Sequence, residues 1–368
     1  MEMILTTKPS ITQKEIDYVN DAITNGHGEH WGDYVKKFEN SFAEYVGAKH
    51  AMATSSCTGA MHLSLVALGI GKGDEVIVPD MSWIATASVV RYVGATPVFV
   101  DVLADSWCIN PEDIDFHMTS KTKAIIPVHL YGYPAAMDEI MDIAHEYGLK
   151  VVEDAAPAVG ASLNGKKVGT FGDTGCFSFQ GAKMISTGEG GMVVTDDTEL
   201  FDKIKHFANQ GRSGNGFEIS DIGFKYKMSN LQAAWGLAQL ERVDELIAKK
   251  RQIYQWYCGE LSEVDGVELN KGFSFSRERY ESIYWMSSIV LDRSDITRDG
   301  LRVKLLEKNI DTRPFFPPMS SFRMFKPTHN LTAKRLGANG INLPSGHDIT
   351  HEQVVYICDC IKEILNEK

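Results

Sequence analysis

A lysine, an aspartate and a hydroxyl-rich turn stand out along this chain as groups that could share one reaction. Lys183 lies in CFSFQGAKMISTGEGGMVVTDD, residues 176–197, just past a short apolar run, five residues after Ser178 and ahead of a glycine-rich turn. An amine that forms a Schiff base needs a rigid tether, small neighbours that admit a flat partner, and a nearby hydroxyl. All three are here. Taken alone, a lysine in a polar loop is more often a solvated surface group. The segment KVVEDAAPAVGAS, residues 150–162, shifts that balance: Val151 and Val152 read as a buried strand ending in Glu153 and Asp154, with small residues directly after. Parallel sheets bind ligands beyond the carboxyl ends of their strands. A carboxylate there, one strand from a tethered lysine, suits a protonated ring nitrogen, with the lysine on an aldehyde carbon. The plain alternative is an acid that caps the next helix.

A third segment, AMATSSCTGAMHLSL (residues 51–65), reads as a strand, a turn containing Ser56, Cys57 and Thr58, and a helix. A helix N-terminus offers free N–H groups and partial positive charge, which suits a phosphate. Thr58 adds a hydroxyl, and Ser178 is the expected second one. An N-cap serine or threonine needs no ligand, so this turn carries weight only with the other two segments. Together they specify a cofactor with an aldehyde, a ring nitrogen and a phosphate, which is pyridoxal 5'-phosphate. Trp83, in the loop PDMSWIATA, is placed to stack on its ring, with core packing as the alternative.

The elements that must position these groups alternate between short apolar strands and amphipathic helices from residue 50 to about 200. The pattern predicts strands at 50–55, 75–79, 97–102, 123–128, 150–154, 175–179 and 191–195, hence an α/β fold with a mostly parallel central sheet covered by helices on both faces. Thr58, Trp83, Asp154 and Lys183 each follow a strand, so one sheet edge would collect them. Residues 228–258 read as one long helix bridging into a smaller part with strands at 284–291 and 310–313 and a closing helix from Thr350. The expected division is a large domain over 1–240 and a smaller α/β C-terminal domain over 241–368.

The chain has 368 residues and a formal net charge of −12, which argues against nucleic acid or an anionic membrane as partner. No apolar run approaches the ~20 residues of a membrane span, and MEMILTTKPS lacks a basic region before an apolar core, so a cytoplasmic protein is expected. The six cysteines are scattered, with only Cys358 and Cys360 close together, and read as reduced thiols; no metal site is expected. His129 is expected at a strand end, packing in the core.

The order of these motifs resembles the DegT/DnrJ/EryC1/StrS family of pyridoxal-phosphate-dependent sugar aminotransferases, of aspartate-aminotransferase fold type I. The resemblance covers nearly the whole chain, from KPSITQKEIDYVNDAI through GDEVIVPDMSWIATASVV, GTFGDTGCFSF and YKMSNLQAAWGLAQLERVDELIAKKR to INLPSGHDITHEQVVYICDCI. It implies a homodimer with shared active sites, and transfer of an amino group from glutamate to the ketone of a nucleotide-linked sugar, with pyridoxamine phosphate as the amino-bearing form. YWMSSIVL and the last forty-odd residues are most similar to members that aminate a GDP-linked 4-keto-6-deoxy sugar for cell-surface polysaccharide; UDP- or dTDP-linked ketones, 3-keto sugars and keto-inositols are the alternatives.

The resemblance also implies further site residues. Arg313, in DTRPFF, is the candidate for a substrate contact. His27 and His30 lie in NGHGEHWGDYV, where the family has its N-terminal substrate loop. The family's Gly-x-Asn, whose asparagine reaches the partner subunit's phosphate, reads Gly223-Phe224-Lys225, so Lys225 is expected to meet that phosphate as a point charge. Two other departures are Cys57 in place of the glycine of the phosphate turn, and Pro157 where a hydrogen-bonding side chain is usual. Related dehydratases carry histidine at the lysine position, so Lys183 favours amino transfer. A nicotinamide oxidoreductase lacks its G-x-G-x-x-G here, and a non-catalytic protein of this fold would have little reason to keep Lys183, Asp154 and the phosphate turn together.

Overall fold

The computed structural model describes residues 2–213, 217–270, 272 and 279–366. Seven short strands form the main sheet: β1 (His50–Thr54), β2 (Glu75–Pro79), β3 (Thr96–Val100), β4 (Thr122–Ile125), β5 (Lys150–Asp154), β6 (Thr174–Ser178) and β7 (Gly191–Thr195). Their order is β1-β7-β6-β5-β4-β2-β3. The neighbours from β6 to β3 run parallel, while β7 is antiparallel to both β1 and β6. Every residue of β6 and β7 is buried, as are the last four of β5, because helices cover both faces and leave no polar side for these sequences to present. The mostly parallel sheet is as expected. β4 is shorter than the expected 123–128 because Pro127 has no N–H; its carbonyl still accepts from Asp154 N at 2.9 Å, which keeps the chain beside β5 as far as His129.

Helices α1 (Gln13–Asn25) and α2 (Asp33–Val46) lie toward one face, where Phe38 and Phe42 pack edge-on and tilted against Phe177 and Phe179. On the other face α3 (Cys57–Ala67) buries Met61, Leu63 and Leu65 with Val76, Val78 and Val193. α4 (Ala85–Tyr92) packs beside α3.

The single helix expected over 228–258 is two: α5 (Asn230–Leu240) and α6 (Val243–Leu261). The physical cause lies in the buried carboxylate of Glu15, the third residue of α1. Gln239 Nε2 and Arg242 Nη1 both donate to it, at 2.6 and 2.7 Å, and Arg242 Nη2 donates to Ser10 Oγ at 3.0 Å. Meeting these partners turns the backbone out of helical geometry at Arg242, and α6 leaves in a new direction. It packs with α7 (His351–Asn366) on a second, four-stranded antiparallel sheet: β8 (Val267–Leu269), β9 (Ser288–Leu291), β10 (Arg313–Pro314) and β11 (Gly340–Asn342), in the order β8-β9-β11-β10. The expected strand over 284–291 is therefore confined to its second half. Ile4, at the N-terminus, pairs with Ile310 and joins this second core. Among the described residues no helix is long and apolar enough to cross a membrane, and no group of His, Cys, Asp or Glu could hold a metal.

Candidate active site

The helix start of α3 is set by a glycine on the neighbouring strand. A Cβ on Gly191 would lie 2.4 Å from Ser56 C and 2.5 Å from Cys57 N, so only glycine lets β7 run directly against this turn. Ser56 caps the helix, its Oγ accepting from Gly59 N at 3.1 Å, while the N–H groups of Cys57 and Thr58 have no acceptor within the helix. The turn thus presents donors and partial positive charge at the sheet edge, and Ser178, at the end of β6, stands on the same cavity wall.

Two acids end β5, and alternation along the strand sends them apart. Glu153 is saturated by the protein: Oε1 accepts from Phe171 N and Gly172 N at 2.6 and 2.8 Å, and Oε2 from Gly169 N at 2.7 Å. His129 Nδ1 accepts from Ala135 N, which leaves its Nε2–H to donate to Glu153 at 3.0 Å. His129 is therefore a buried structural partner of Glu153. Asp154 faces the cavity, 5% exposed, with Thr86 Oγ1 donating to its Oδ2 at 2.8 Å and Ala156 N to its Oδ1 at 3.2 Å. Ser82 extends the chain, its Oγ 3.1 Å from Thr86 Oγ1. Burial pushes the Asp154 carboxyl above the usual range, while the Thr86 hydrogen bond and the Lys183 charge pull it back.

Lys183 follows β6 on a turn closed by its own N–H donating to Gln180 O at 2.8 Å. The cavity leaves its side chain partial access to solvent, yet enough protein surrounds the amine for burial to lower its proton affinity below the ordinary lysine range, with Asp154 opposing. Lys183 and Asp154 line one cavity of about 440 Å³, and among the described residues they form no ion pair. Two opposite charges on one pocket with no ion pair between them, and a helix start on its rim, match a flat ring that carries an aldehyde carbon, a basic nitrogen and a phosphate. The donor set fits pyridoxal 5'-phosphate.

Ser56, Cys57, Thr58, Trp83, Asp154, Ser178 and Lys183 all line this cavity. Trp83 is 62% exposed, its ring 5.8 Å from that of Phe316 and tilted. Four other candidates lie off the cavity wall. Lys225 is exposed on a segment bridged to Asn209. Arg313 is on β10, 3.7 Å from Asp311 with most of its side chain in solvent. His27 is exposed, and His30 is held 2.9 Å from Asp33. Sequence reasoning missed Thr86 and the far wall, made by Trp285 and Phe316. The side-chain hydroxyl of Thr86, the second residue of α4, had no local signal, and the two aromatics come from segments far along the chain.

Comparison with known proteins agrees with this geometry. The DegT/DnrJ/EryC1/StrS aminotransferase family pattern matches residues 9–362. GDP-perosamine synthase of Escherichia coli O157:H7 is 44% identical over 100% of both chains. The aminotransferase TlmJ from Streptoalloteichus hindustanus superposes with a TM-score of 0.93 at 28% identity, covering 99% of each chain. Spr1654 from Streptococcus pneumoniae, solved in its PLP form, superposes with a TM-score of 0.91 at 26% identity over 98% of each chain.

Proposed function

This chain belongs to the DegT/DnrJ/EryC1/StrS aminotransferase family, and from that premise we propose that it moves an amino group from glutamate to the 4-ketone of a GDP-linked 4-keto-6-deoxy sugar. The observation that carries the chemistry is the placement of Lys183 and Asp154 on one cavity without an ion pair between them. The nucleotide and sugar are supported by the full-length likeness to GDP-perosamine synthase.

Pyridoxal 5'-phosphate, the cofactor of the family, supplies an electron sink and a carrier for the amino group. Asp154 is the residue to hold the proton on its ring nitrogen. Thr86 fixes that carboxylate, so the remaining lone pairs of Asp154 are aimed before any ligand arrives. Ser56, Cys57, Thr58 and Ser178 would receive the phosphate at the start of α3. Lys183 is the tether and, once free, carries a proton at Nζ between the two carbons that exchange it. A lowered proton affinity suits that duty, because more of the amine is neutral and able to act as base near neutral pH.

Lys225 belongs to a cationic patch. Lys227 nearby has its proton affinity lowered by burial, then by the charges of Lys225 and Arg212, with only Glu39 opposing. In a chain of net charge −12, three cations drawn together favour an anionic ligand. This supports the reading that Lys225 reaches a phosphate across a two-fold dimer. Arg313, His27 and His30, all solvent-facing, remain candidates for the nucleotide-sugar.

The test is amino transfer from glutamate to a panel of GDP-, UDP- and dTDP-linked 3-keto and 4-keto sugars. GDP-4-keto-6-deoxymannose should give the highest kcat/KM. Faster transfer to a UDP- or dTDP-linked ketone would overturn the substrate while leaving the aminotransferase chemistry in place.

A further inference from the structure

The motif YWMSS, residues 284–288, has no part in the chemistry above, yet the backbone around it is held in an uncommon shape. Tyr284 has φ +47°, in the left-handed region that a bulky residue rarely adopts. Three contacts hold it there. The Tyr254 ring stacks on Tyr284 with centroids 3.7 Å apart and planes within 6°. Ser282 Oγ accepts from Tyr284 N at 3.0 Å and donates to Gly132 O at 2.9 Å. Gly132, itself at φ +93°, lets the chain approach so closely that a Cβ there would lie 2.8 Å from Trp285 N.

The consequence is the direction of the next side chain. Trp285 is 6% exposed and lies on the cavity wall, its Nε1–H donating to Ala182 O at 2.7 Å. Its ring lies under Lys183 Nζ, 3.9 Å from the centroid. One side chain therefore grips Lys183 twice, through the carbonyl of the preceding residue and through the ammonium.

We propose that Trp285 is the seat of the free Lys183 ammonium, a positioning residue that holds this amine at the cavity edge whenever it is not covalently engaged. The inference rests on the reading of Lys183 as the cofactor's tether. A lysine released into a pocket that receives a phosphate, a carboxylate donor and a diphosphate-linked sugar would otherwise be drawn to whichever anion is nearest. A carboxylate seat would prevent that, but it would hold the amine as a tight ion pair and keep it protonated. An aromatic face attracts the cation without offering a hydrogen-bond acceptor, and the attraction is strongest where water is excluded. It restrains the amine and still releases it. Among the described residues no carboxylate forms an ion pair with Lys183, as such a seat requires.

The first measurement uses cofactor-free protein with its lysines reductively methylated with ¹³C-formaldehyde. The Lys183 dimethylammonium signal, identified by its loss in Lys183→Ala, should lie upfield of the other dimethyl-lysine signals because it sits over an indole face. It should move back among them in Trp285→Leu and stay upfield in Trp285→Phe. The second measurement is a single turnover of keto sugar by enzyme preloaded with pyridoxamine phosphate, where Lys183 starts free. Trp285→Leu should slow it about tenfold, and Trp285→Phe or Trp285→Tyr, which keep a π face, should stay within about threefold of wild type. An unshifted Lys183 signal in the wild-type protein overturns the inference alone, provided cofactor still attaches through Lys183. Equal slowing by Leu and Phe overturns it as well, since packing would then be the whole effect. Full turnover by Lys183→Ala would overturn the tether reading beneath it.

Discussion

The two walls of the cavity are built by different rules. The wall at the sheet edge takes these groups from the end of a strand or the few residues after it: Cys57 and Thr58 after β1, Trp83 after β2, Asp154 at the end of β5, and Lys183 after β6. Strand and functional residue are neighbours in sequence, so the scaffold that orders one orders the other. The opposite wall takes Trp285 and Phe316 from the approaches to the second sheet, more than a hundred residues away from the lysine and aspartate they face. It has to be fastened. Buried Asp80, at the end of β2, does this by accepting from Ser320 N and Oγ at 2.7 Å and from Thr328 Oγ1 and Asn330 Nδ2 at 3.0 Å. The first wall should therefore carry the chemistry and the second its positioning, which predicts a steep grading of mutational effects between them.

The largest effect belongs to Lys183. Lys183→Ala should abolish turnover and the visible absorbance of lysine-bound cofactor while leaving the far-ultraviolet circular dichroism unchanged, because the side chain borders the cavity and carries no part of the core. Asp154→Asn comes next. The variant should still bind cofactor, since the helix start is untouched, but an amide cannot hold a proton on the ring nitrogen. Loss of a charge-assisted hydrogen bond accounts for ~1.5–3 kcal/mol, and at an electron sink we expect at least a hundredfold fall in kcat, about 2.7 kcal/mol. A kcat within a few-fold of wild type would make Asp154 a cap of the following turn and erase the difference between the walls. The Trp285→Leu effect of about tenfold falls below both, as a positioning role requires.

This division also explains what the sequence could reveal. The strands of the main sheet were readable because buried parallel strands are continuous apolar runs, and the site residues came with them as their immediate successors. The break between α5 and α6 was not readable: the apolar stripe continues across it, and its cause, the carboxylate of Glu15 drawing in Gln239 and Arg242, is more than two hundred residues away. The same holds for Trp285. Its indole is aimed by a left-handed Tyr284, a glycine at 132 and a ring at 254, and no window of the sequence contains all three. The two acids of β5 are the intermediate case. The motif exposes both, and only the hydrogen bonds from Gly169, Phe171, Gly172 and His129 single out Glu153 as the structural one.

Lys225 belongs to neither wall, and it offers the smallest and most discriminating test. It stands exposed, and its charge and that of Arg212 both act on Lys227. If it serves a phosphate of the partner subunit, the contact is a solvent-accessible Coulombic one. An exposed ion pair of this kind contributes about 0.5–1 kcal/mol, so Lys225→Ala should weaken pyridoxal-phosphate binding only two- to fivefold or so. Salt fixes the sign of the comparison: wild type loses the attraction as ions screen it, whereas the alanine variant has none to lose. The gap between the two proteins should therefore be widest at low ionic strength and close as salt rises. Lys225→Asn should recover affinity with a shallower salt slope, because an amide binds phosphate by hydrogen bonding and carries no charge to screen. Titrating pyridoxal phosphate into the three apo-proteins at about 20 mM and 500 mM salt, roughly 20 Å and 4 Å of Debye length, decides the matter. Equal affinities for wild type and Lys225→Ala at both strengths would remove this lysine from the cofactor site and leave the cationic patch to the nucleotide-sugar.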